Sequence, residues 1–394
     1  MKAILTSTDS PPAAAPAVIA SRDPLLRLLA PEATHVLDEA SRAELAEAYD
    51  RLVMERFGAA GPPAWALAAF YRLRSAIPRR AQLALRRGLI RHQHVPERPR
   101  WPYDESVRQL LAALAACLVA PGESIRFRWF WPYGARAALT LTHDVESEAG
   151  LRNALRIAEL EAARGFRSSF NVVKSWYPID HGVLRELVAR GFEIGVHGVR
   201  HDRSLFSSRA EFESQQPLLR EAAKAFGAVG FRSPATYRVP DWLAELPFRY
   251  DCTVPLSDPY EPQPGGCCSP WPYFIGDVVE LPWTLTQDHT LFTLLRRRDI
   301  QVWLGQVERL RDAAGLIQVL THPDPGYLGE PWNERLYATF LDLMAEYADV
   351  WSALPRDIAR WWRRRDAAEA WSEDDGYGSA TLNAEGRLLF EGPA

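Results

Sequence analysis

From about residue 125 onward, short runs rich in β-branched and aromatic residues alternate with longer stretches of helical periodicity, and this alternation constrains the fold more than any other feature of the chain. The runs are Ala137–Thr142, Ser168–Val173, Phe192–Val196, Val229–Arg232, Tyr250–Val254, Val278–Leu281 and Leu316–Leu320, with Asp349–Ala353 a candidate eighth. Helical stretches such as Leu151–Arg164 and Val183–Arg190 lie between most of them. Repeated strand and helix units predict a parallel sheet covered by helices. No Gly-x-Gly-x-x-Gly turn follows the first strand, so a closed or nearly closed α/β barrel fits better than a doubly wound sheet.

The chain before this region reads differently. Residues 1–24 are rich in Ala, Pro, Ser and Thr, too poor in large apolar groups to offset the entropy of ordering, which predicts a flexible arm. Across 25–124 apolar residues recur at helical spacing, as in Leu26 and Leu29, Leu45, Tyr49 and Leu52, or Val107, Leu110, Leu111 and Leu114. This predicts a helical N-terminal region. Within it His92–Tyr103 carries Pro96, Pro99 and Pro102 and reads as an extended connector. The barrel is expected over 125–365 and a C-terminal tail over 366–394, where Gly376–Phe390 alternates weakly, as a hairpin or a loose end would.

Charge and cysteine content exclude several classes. With a formal net charge of −4 the chain has no excess of cations to release counterions from a nucleic-acid backbone, so no nucleic-acid partner is expected. The basic runs Arg79–Arg80, Arg86–Arg87, Arg296–Arg298 and Arg363–Arg365 read as solvated helix faces and helix ends. The cysteines, Cys117, Cys252, Cys267 and Cys268, match neither a disulfide framework nor a zinc ribbon, which points to a reducing compartment. Asp9 and Pro11–Pro12 interrupt the apolar leader, and no stretch approaches the ~18–20 uninterrupted apolar residues of a membrane span. A cytoplasmic protein is expected. The sequence does not determine its oligomeric state.

The polar residues fall where a parallel barrel would gather them. Asp144 and Glu146 follow the first predicted strand, His197 and His201 follow the third, Arg232 ends the fourth and His322 follows the seventh. Strand C-termini face one mouth, so these side chains can converge there. His197-Gly-Val-Arg-His201 has the spacing that lets two imidazoles reach one ion, and imidazole with carboxylate is an ordinary ligand set for Zn²⁺ and its neighbours. In Thr142-His143-Asp144-Val145-Glu146 an acidic pair follows an apolar strand, a costly placement unless a cation or donors compensate. The structural alternative is that Asp144 merely caps the following helix. Cys267–Cys268 offers a thiol, but no base accompanies it in sequence.

Taken in order, Thr142-His143-Asp144-Val145-Glu146, His197-Gly-Val-Arg-His201, Phe231-Arg232-Ser233-Pro234, Leu281-Pro282-Trp283 and Leu320-Thr321-His322-Pro323 resemble the motif series of the polysaccharide deacetylase family, also called carbohydrate esterase family 4. The resemblance covers roughly residues 130–365. It implies a distorted (β/α)7 barrel, one divalent metal ion with zinc the first expectation, and hydrolysis of an N-acyl group, usually acetyl, on an amino-sugar-containing substrate. Position by position it implies Asp144 as catalytic base, Glu146, His197 and His201 as metal ligands, Arg232 as the residue that orients the base, and His322 as general acid. Many members carry two adjacent aspartates, whereas Val145 follows Asp144 here. Members with an acid-x-acid arrangement make Glu146 the match, and a second register puts His143 in the base position and Asp144 on the metal. Trp283 resembles the aromatic wall of the site, with Tyr237 and Trp176 as further stacking candidates. Asp288 is a candidate for tuning His322, and His143 for supporting the ligands from behind. Two other readings stay open: a catalytically inactive barrel that binds glycans, and a related hydrolase of another non-peptide amide.

Overall fold

The structure, a computed structural model, describes residues 39–56, 79–90, 98–367 and 376–393. The expected arm at 1–24 and the Leu26–Leu29 spacing lie outside these residues. Helices α1 (Glu39–Val53), α2 (Arg79–Ile90) and α3 (Ser106–Leu118) are followed by strand β1 (Ser124–Arg128). Next come β2 (Ala137–Val145), α4 (Glu148–Ala162), β3 (Ser168–Val172), α5 (His181–Ala189), β4 (Glu193–Val196), α6 (Arg209–Phe226), β5 (Gly230–Phe231), α7 (Pro240–Leu243) and β6 (Tyr250–Asp251). The chain continues through β7 (Tyr273–Ile275), β8 (Val278–Glu280), a wide-turned π helix at His289–Leu294, α8 (Gln301–Asp312), β9 (Leu316–Thr321), α9 (Pro331–Ala345), β10 (Val350–Ser352) and α10 (Pro355–Ala367). It ends with β11 (Tyr377–Leu382) and β12 (Leu388–Glu391). Each run expected as a strand forms one, several of them shorter than expected. Among the described residues no helix is long and apolar enough to cross a membrane.

Strand β2 organises the sheet. It pairs in parallel with β9 on one side and β3 on the other, and the parallel ladder continues through β4, β5, β6 and β8. Beyond β8 the backbone reaches β9 again: Leu285 N donates to Gln318 O at 3.1 Å and Gln318 N donates to Thr284 Oγ1 at 2.9 Å. The ring of parallel strands therefore closes, giving the distorted (β/α)7 barrel. Short β10 lies in parallel beside the start of β2, and β7 adds antiparallel to β8.

Side chains along a strand alternate between faces. On β2, Leu139, Leu141 and Val145 pack outward with Ile157 and Ala158 of α4, whereas Thr142 and Asp144 turn inward to meet Arg232. The inside is narrow and polar, and two glycines make room in it. A Cβ on Gly195 would lie 2.0 Å from Asn171 Oδ1, and one on Gly230 would lie 1.9 Å from the Tyr250 ring. Tyr250 cannot simply swing away, since its hydroxyl donates to Glu193 Oε1 at 2.8 Å and the residue is 1% exposed.

The end of the barrel where the strands begin is filled by aromatics that follow β1. Phe130 stacks on Trp271 with centroids 5.3 Å apart, and Trp131 Nε1 donates to Ala314 O at 2.8 Å just before β9. β1 pairs antiparallel with β11, and β11 with β12, so the Gly376–Phe390 segment is a hairpin rather than a loose end. Arg365, expected on a solvated face, is instead 4% exposed. Its Nε donates to Trp129 O at 3.0 Å and its guanidinium lies 5.2 Å from the Phe130 ring centroid.

The tight approach at the axis makes Gly230→Ala a stability test. Overpacking against a ring held on both sides costs about 1–3 kcal/mol, read as a lowered midpoint in denaturant unfolding. A change within about 0.5 kcal/mol, the usual scatter of surface substitutions, would show that Tyr250 is free to move.

Candidate metal and catalytic site

Strand alternation brings Asp144 to the inner face close to the end of β2, and the chain then leaves the strand through Glu146. Ser147, not Asp144, caps α4: its side chain accepts from Gly150 N at 3.1 Å. The capping alternative for Asp144 is therefore set aside. Asp144 Oδ1 accepts from Asn171 Nδ2 at 2.8 Å and from Arg232 Nη1 at 3.2 Å, while Oδ2 faces His197 Nε2 at 3.7 Å. Burial opposes its ionisation, but the charges of His197, Arg232 and His322, with the Asn171 hydrogen bond, hold the carboxyl below its usual range. Burial drives His197 itself down to about 4, so near neutral pH Arg232 and His322 are the cations left among these.

The two histidines after β4 are shaped by their own motif. Gly198 has φ of 75°, and a Cβ there would come 2.8 Å from the Pro234 ring, so the turn between His197 and His201 packs directly on the Arg232-Ser233-Pro234 segment. His197 Nδ1 lies 3.0 Å from Arg232 O. A carbonyl only accepts, so Nδ1 carries the proton and Nε2 presents a lone pair to the site. His201 Nε2 stands 2.8 Å from Glu146 Oε1. Burial opposes both charges of that pair, yet each favours the other, holding Glu146 well below and His201 above its usual value.

The donor atoms of Glu146, His197 and His201 lie within 4.8 Å of one another. His197 Nε2 and His201 Nε2 are both buried without a hydrogen-bond partner among the described residues, the 2.8 Å approach to Glu146 lacking hydrogen-bond geometry. Buried nitrogens are seldom left unpaired. Two such atoms aimed at a carboxylate are what a divalent cation would satisfy, and two imidazoles with one carboxylate fit zinc and neighbouring metals.

His322 follows β9 and closes the opposite side, with Nε2 at 3.6 Å from Glu146 Oε1. Its Nδ1 lies 2.7 Å from Asp288 Oδ1. Asp288 is fully engaged, its Oδ1 also accepting from His289 N at 2.8 Å and its Oδ2 from His322 N at 2.9 Å and Leu328 N at 3.0 Å. Burial works against a charged imidazole, but Asp288, then Glu146 and Asp144, lift His322 to about 10.

Three residues absent from the sequence reading complete the site. Asn171 bonds Asp144. Gln318, with its amide oriented to satisfy both ends, accepts from Arg232 Nη2 at 2.8 Å. Asp324 accepts from Glu146 N at 3.0 Å and from the Ser147 hydroxyl, pinning the loop that carries Glu146 to the loop that carries His322. Gln318 had a readable signal, a polar residue inside an apolar strand run, whereas Asn171 follows Ser168 and Ser169 in a mixed one.

Other expectations are corrected. His143 lies on the outward face of β2, with Nδ1 2.7 Å from Thr321 Oγ1 and Nε2 2.8 Å from Glu161 Oε1, so it reaches neither ligands nor solvent and cannot be the base. Trp283 is 1% exposed, its Nε1 donating to Thr253 O at 3.2 Å, and offers no ring face at the mouth. Tyr237 is buried at 8% exposure. Trp176 is 44% exposed with its ring 6.2 Å from that of His201, so it is the aromatic candidate beside the site. Burial raises the thiol pKa of both Cys267 and Cys268, which removes the thiol alternative.

No family model matches this sequence, and no curated protein does. Among solved structures the chain is similar to a protein assigned to the polysaccharide deacetylases of Mycobacterium smegmatis, with 20% identity over 64% of this chain and 97% of that one and a TM-score of 0.48. It is similar to Puue allantoinase at 20% identity over 61% and 94% of the two chains, TM-score 0.47. A protein assigned to the polysaccharide deacetylases of Pseudomonas aeruginosa PAO1 gives 20% identity over 59% and 93%, TM-score 0.47. At these identities the likeness concerns the fold, and the chemistry has to come from the side chains.

The donor set predicts about one divalent ion per chain in elemental analysis. His197→Ala and His201→Ala should each empty the site, and unchanged metal content in both variants would exclude it.

Proposed function

We propose that the chain is a metal-dependent hydrolase that removes an N-acyl group, acetyl in the first instance, from an amino-sugar-containing substrate. The observation that carries this reading is the convergence at one mouth of the Asp144 carboxyl, the Glu146, His197 and His201 donor set and the His322 imidazole. The motif series found in the sequence supports the choice of amide and of sugar. A divalent ion on Glu146, His197 and His201 would supply Lewis acidity toward the amide carbonyl and the attacking water.

The chain's own groups divide the proton transfers. Asp144 Oδ1 is already engaged by Asn171 and Arg232, so Oδ2, on the His197 side, is the atom available to take the proton of the attacking water. Arg232 keeps that carboxyl ionised and oriented. His322 has Nδ1 turned to Asp288, so its transferable proton is on Nε2, which faces the Glu146 side and can be given to the departing amine. Trp176 offers a half-exposed ring to the apolar face of a sugar. An inactive glycan-binding barrel would need no buried Asp288 devoted to holding His322 protonated, and this favours the catalytic reading.

Acetate release from N-acetyl amino sugars tests the activity itself. Base and ligand should separate in kind: Asp144→Asn retains the metal while losing about 10²–10⁴ in rate. Glu146→Gln weakens metal binding first and recovers partly at high metal concentration. Metal stoichiometry measured beside turnover decides it, and an Asp144→Asn variant that empties the site while Glu146→Gln stays filled would reverse the two roles.

A further inference from the structure

Two arginine runs that read as solvated faces come together in space. Arg87 of α2 donates through Nε and Nη2 to Thr293 O of the π helix, at 3.0 and 2.7 Å. It joins Arg296, Arg298 and Arg335 in lining a groove of about 570 Å³. The exposed Trp332 forms part of its wall, with the guanidinium groups of Arg298 and Arg335 at 5.8 and 5.1 Å from the ring centroid. Glu330 is the carboxylate of the lining, and its Oε1 already accepts from Gly326 N at 2.8 Å. The lining thus sets the four arginines Arg87, Arg296, Arg298 and Arg335 against the one carboxylate of Glu330. Burial, then the charge of Arg296, holds Arg87 below its ordinary value, so two like charges face each other here. In a chain whose net charge is −4, this local excess calls for an anion.

The groove adjoins the catalytic mouth through a single loop. The segment after β9 carries His322, then Asp324 on Glu146 N, then Gly326 on the groove wall, and the Tyr327 ring lies 5.1 Å from that of His322. The same loop thus contributes to both the mouth and the groove wall, which is the basis for joining them in one ligand.

We propose that this groove binds a phosphoryl or pyrophosphoryl group of the substrate, so that the enzyme acts on a phosphorylated amino-sugar derivative rather than an uncharged glycan. The groove argument stands on the arginines alone, whereas the sugar end rests on the deacylase reading. Guanidinium forks match the oxygens of phosphate, and several of them around one groove exceed what a single carboxylate would balance. Trp332 keeps two of the guanidinium groups in place by cation–π contact.

The 394-residue, metal-loaded chain is titrated with inorganic pyrophosphate at low and high salt, alongside the Arg296→Gln/Arg335→Gln variant. Metal content and thermal unfolding of the variant establish that fold and metal site are intact. Binding to the unaltered chain should weaken with salt and fall about tenfold or more in the variant, the loss expected from removing charge-assisted hydrogen bonds. Pyrophosphate held at the metal instead would bind both proteins equally, and that result overturns the groove. Turnover is then compared on a nucleoside-diphosphate N-acetylhexosamine, a short-chain lipid phosphate N-acetylhexosamine and a neutral N-acetylhexosamine oligomer. The variant should raise KM about tenfold for whichever phosphorylated form is the source, with kcat little changed and the neutral oligomer unaffected. Preferred turnover of the neutral oligomer, untouched by the substitutions, would refute the proposal. Arginine-dependent pyrophosphate binding without acyl release from any of the three would leave the groove standing and remove the deacylase reading.

Discussion

A guanidinium buried on the barrel axis is the constraint around which the rest is arranged. Arg232 is 0% exposed, and an uncompensated charge there would cost on the order of several kcal/mol. Its donors are met by Cys252 O at 2.7 Å from the strand beside it, by Thr142 Oγ1 at 2.9 Å and Asp144 Oδ1 at 3.2 Å on β2, and by Gln318 on β9. One side chain thus ties together strands from both halves of the ring. The same bonds favour the anionic form of Asp144, so the interaction that lets the arginine be buried also holds a carboxylate ionised at neutral pH. Stability and chemistry share one ion pair, and neither partner can be changed for one purpose alone.

The barrel was legible because its physics is local. Each strand run announces itself by composition, each helix by periodicity, and the closed parallel arrangement then brings strand ends to a common mouth without further information. The same reasoning located Asp144, Glu146, His197, His201, Arg232 and His322. Their neighbours were less visible. His143 sits next to Asp144 in sequence, yet the period of two along β2 sends it to the opposite face, where Glu161 and Thr321 hold it. Trp283 is in a strand-end motif, but the barrel closes through that segment and buries the ring. Parity along a strand is a sequence property, so His143 was in principle readable; the burial of Trp283 depends on where the ring closes, which is not.

Contacts between distant parts of the chain were out of reach of the pattern. The pairing of β1 with β11, Ser124 opposite Thr381, joins the two sides of the barrel sequence, and no local signal specifies it. Arg365 looked like one more cation in a helix-end run until the aromatic layer built around β1 covered it. An exposed arginine and a buried one read identically in sequence, because the difference lies in what the rest of the chain packs against them. Arg296 stays exposed as its run suggested, but no pattern within one segment shows that it lines the same groove as Arg87.

The π helix at His289–Leu294 connects the two functional regions. At its start Asp288 fixes the backbone N–H and the ring of His322; near its end Thr293 accepts from Arg87 and donates through Oγ1 to Gly326 O at 2.8 Å. A π turn has weaker intrinsic preference than an α turn and is commonly found where function requires a local rearrangement of backbone. Here the widened turn lets one short element hold the proposed proton donor at one end and the arginine groove at the other. His322 and the arginine groove are therefore positioned by the same short backbone element, and in the proposed reading a substrate anchored at the arginines would meet His322 on an element that both contacts share.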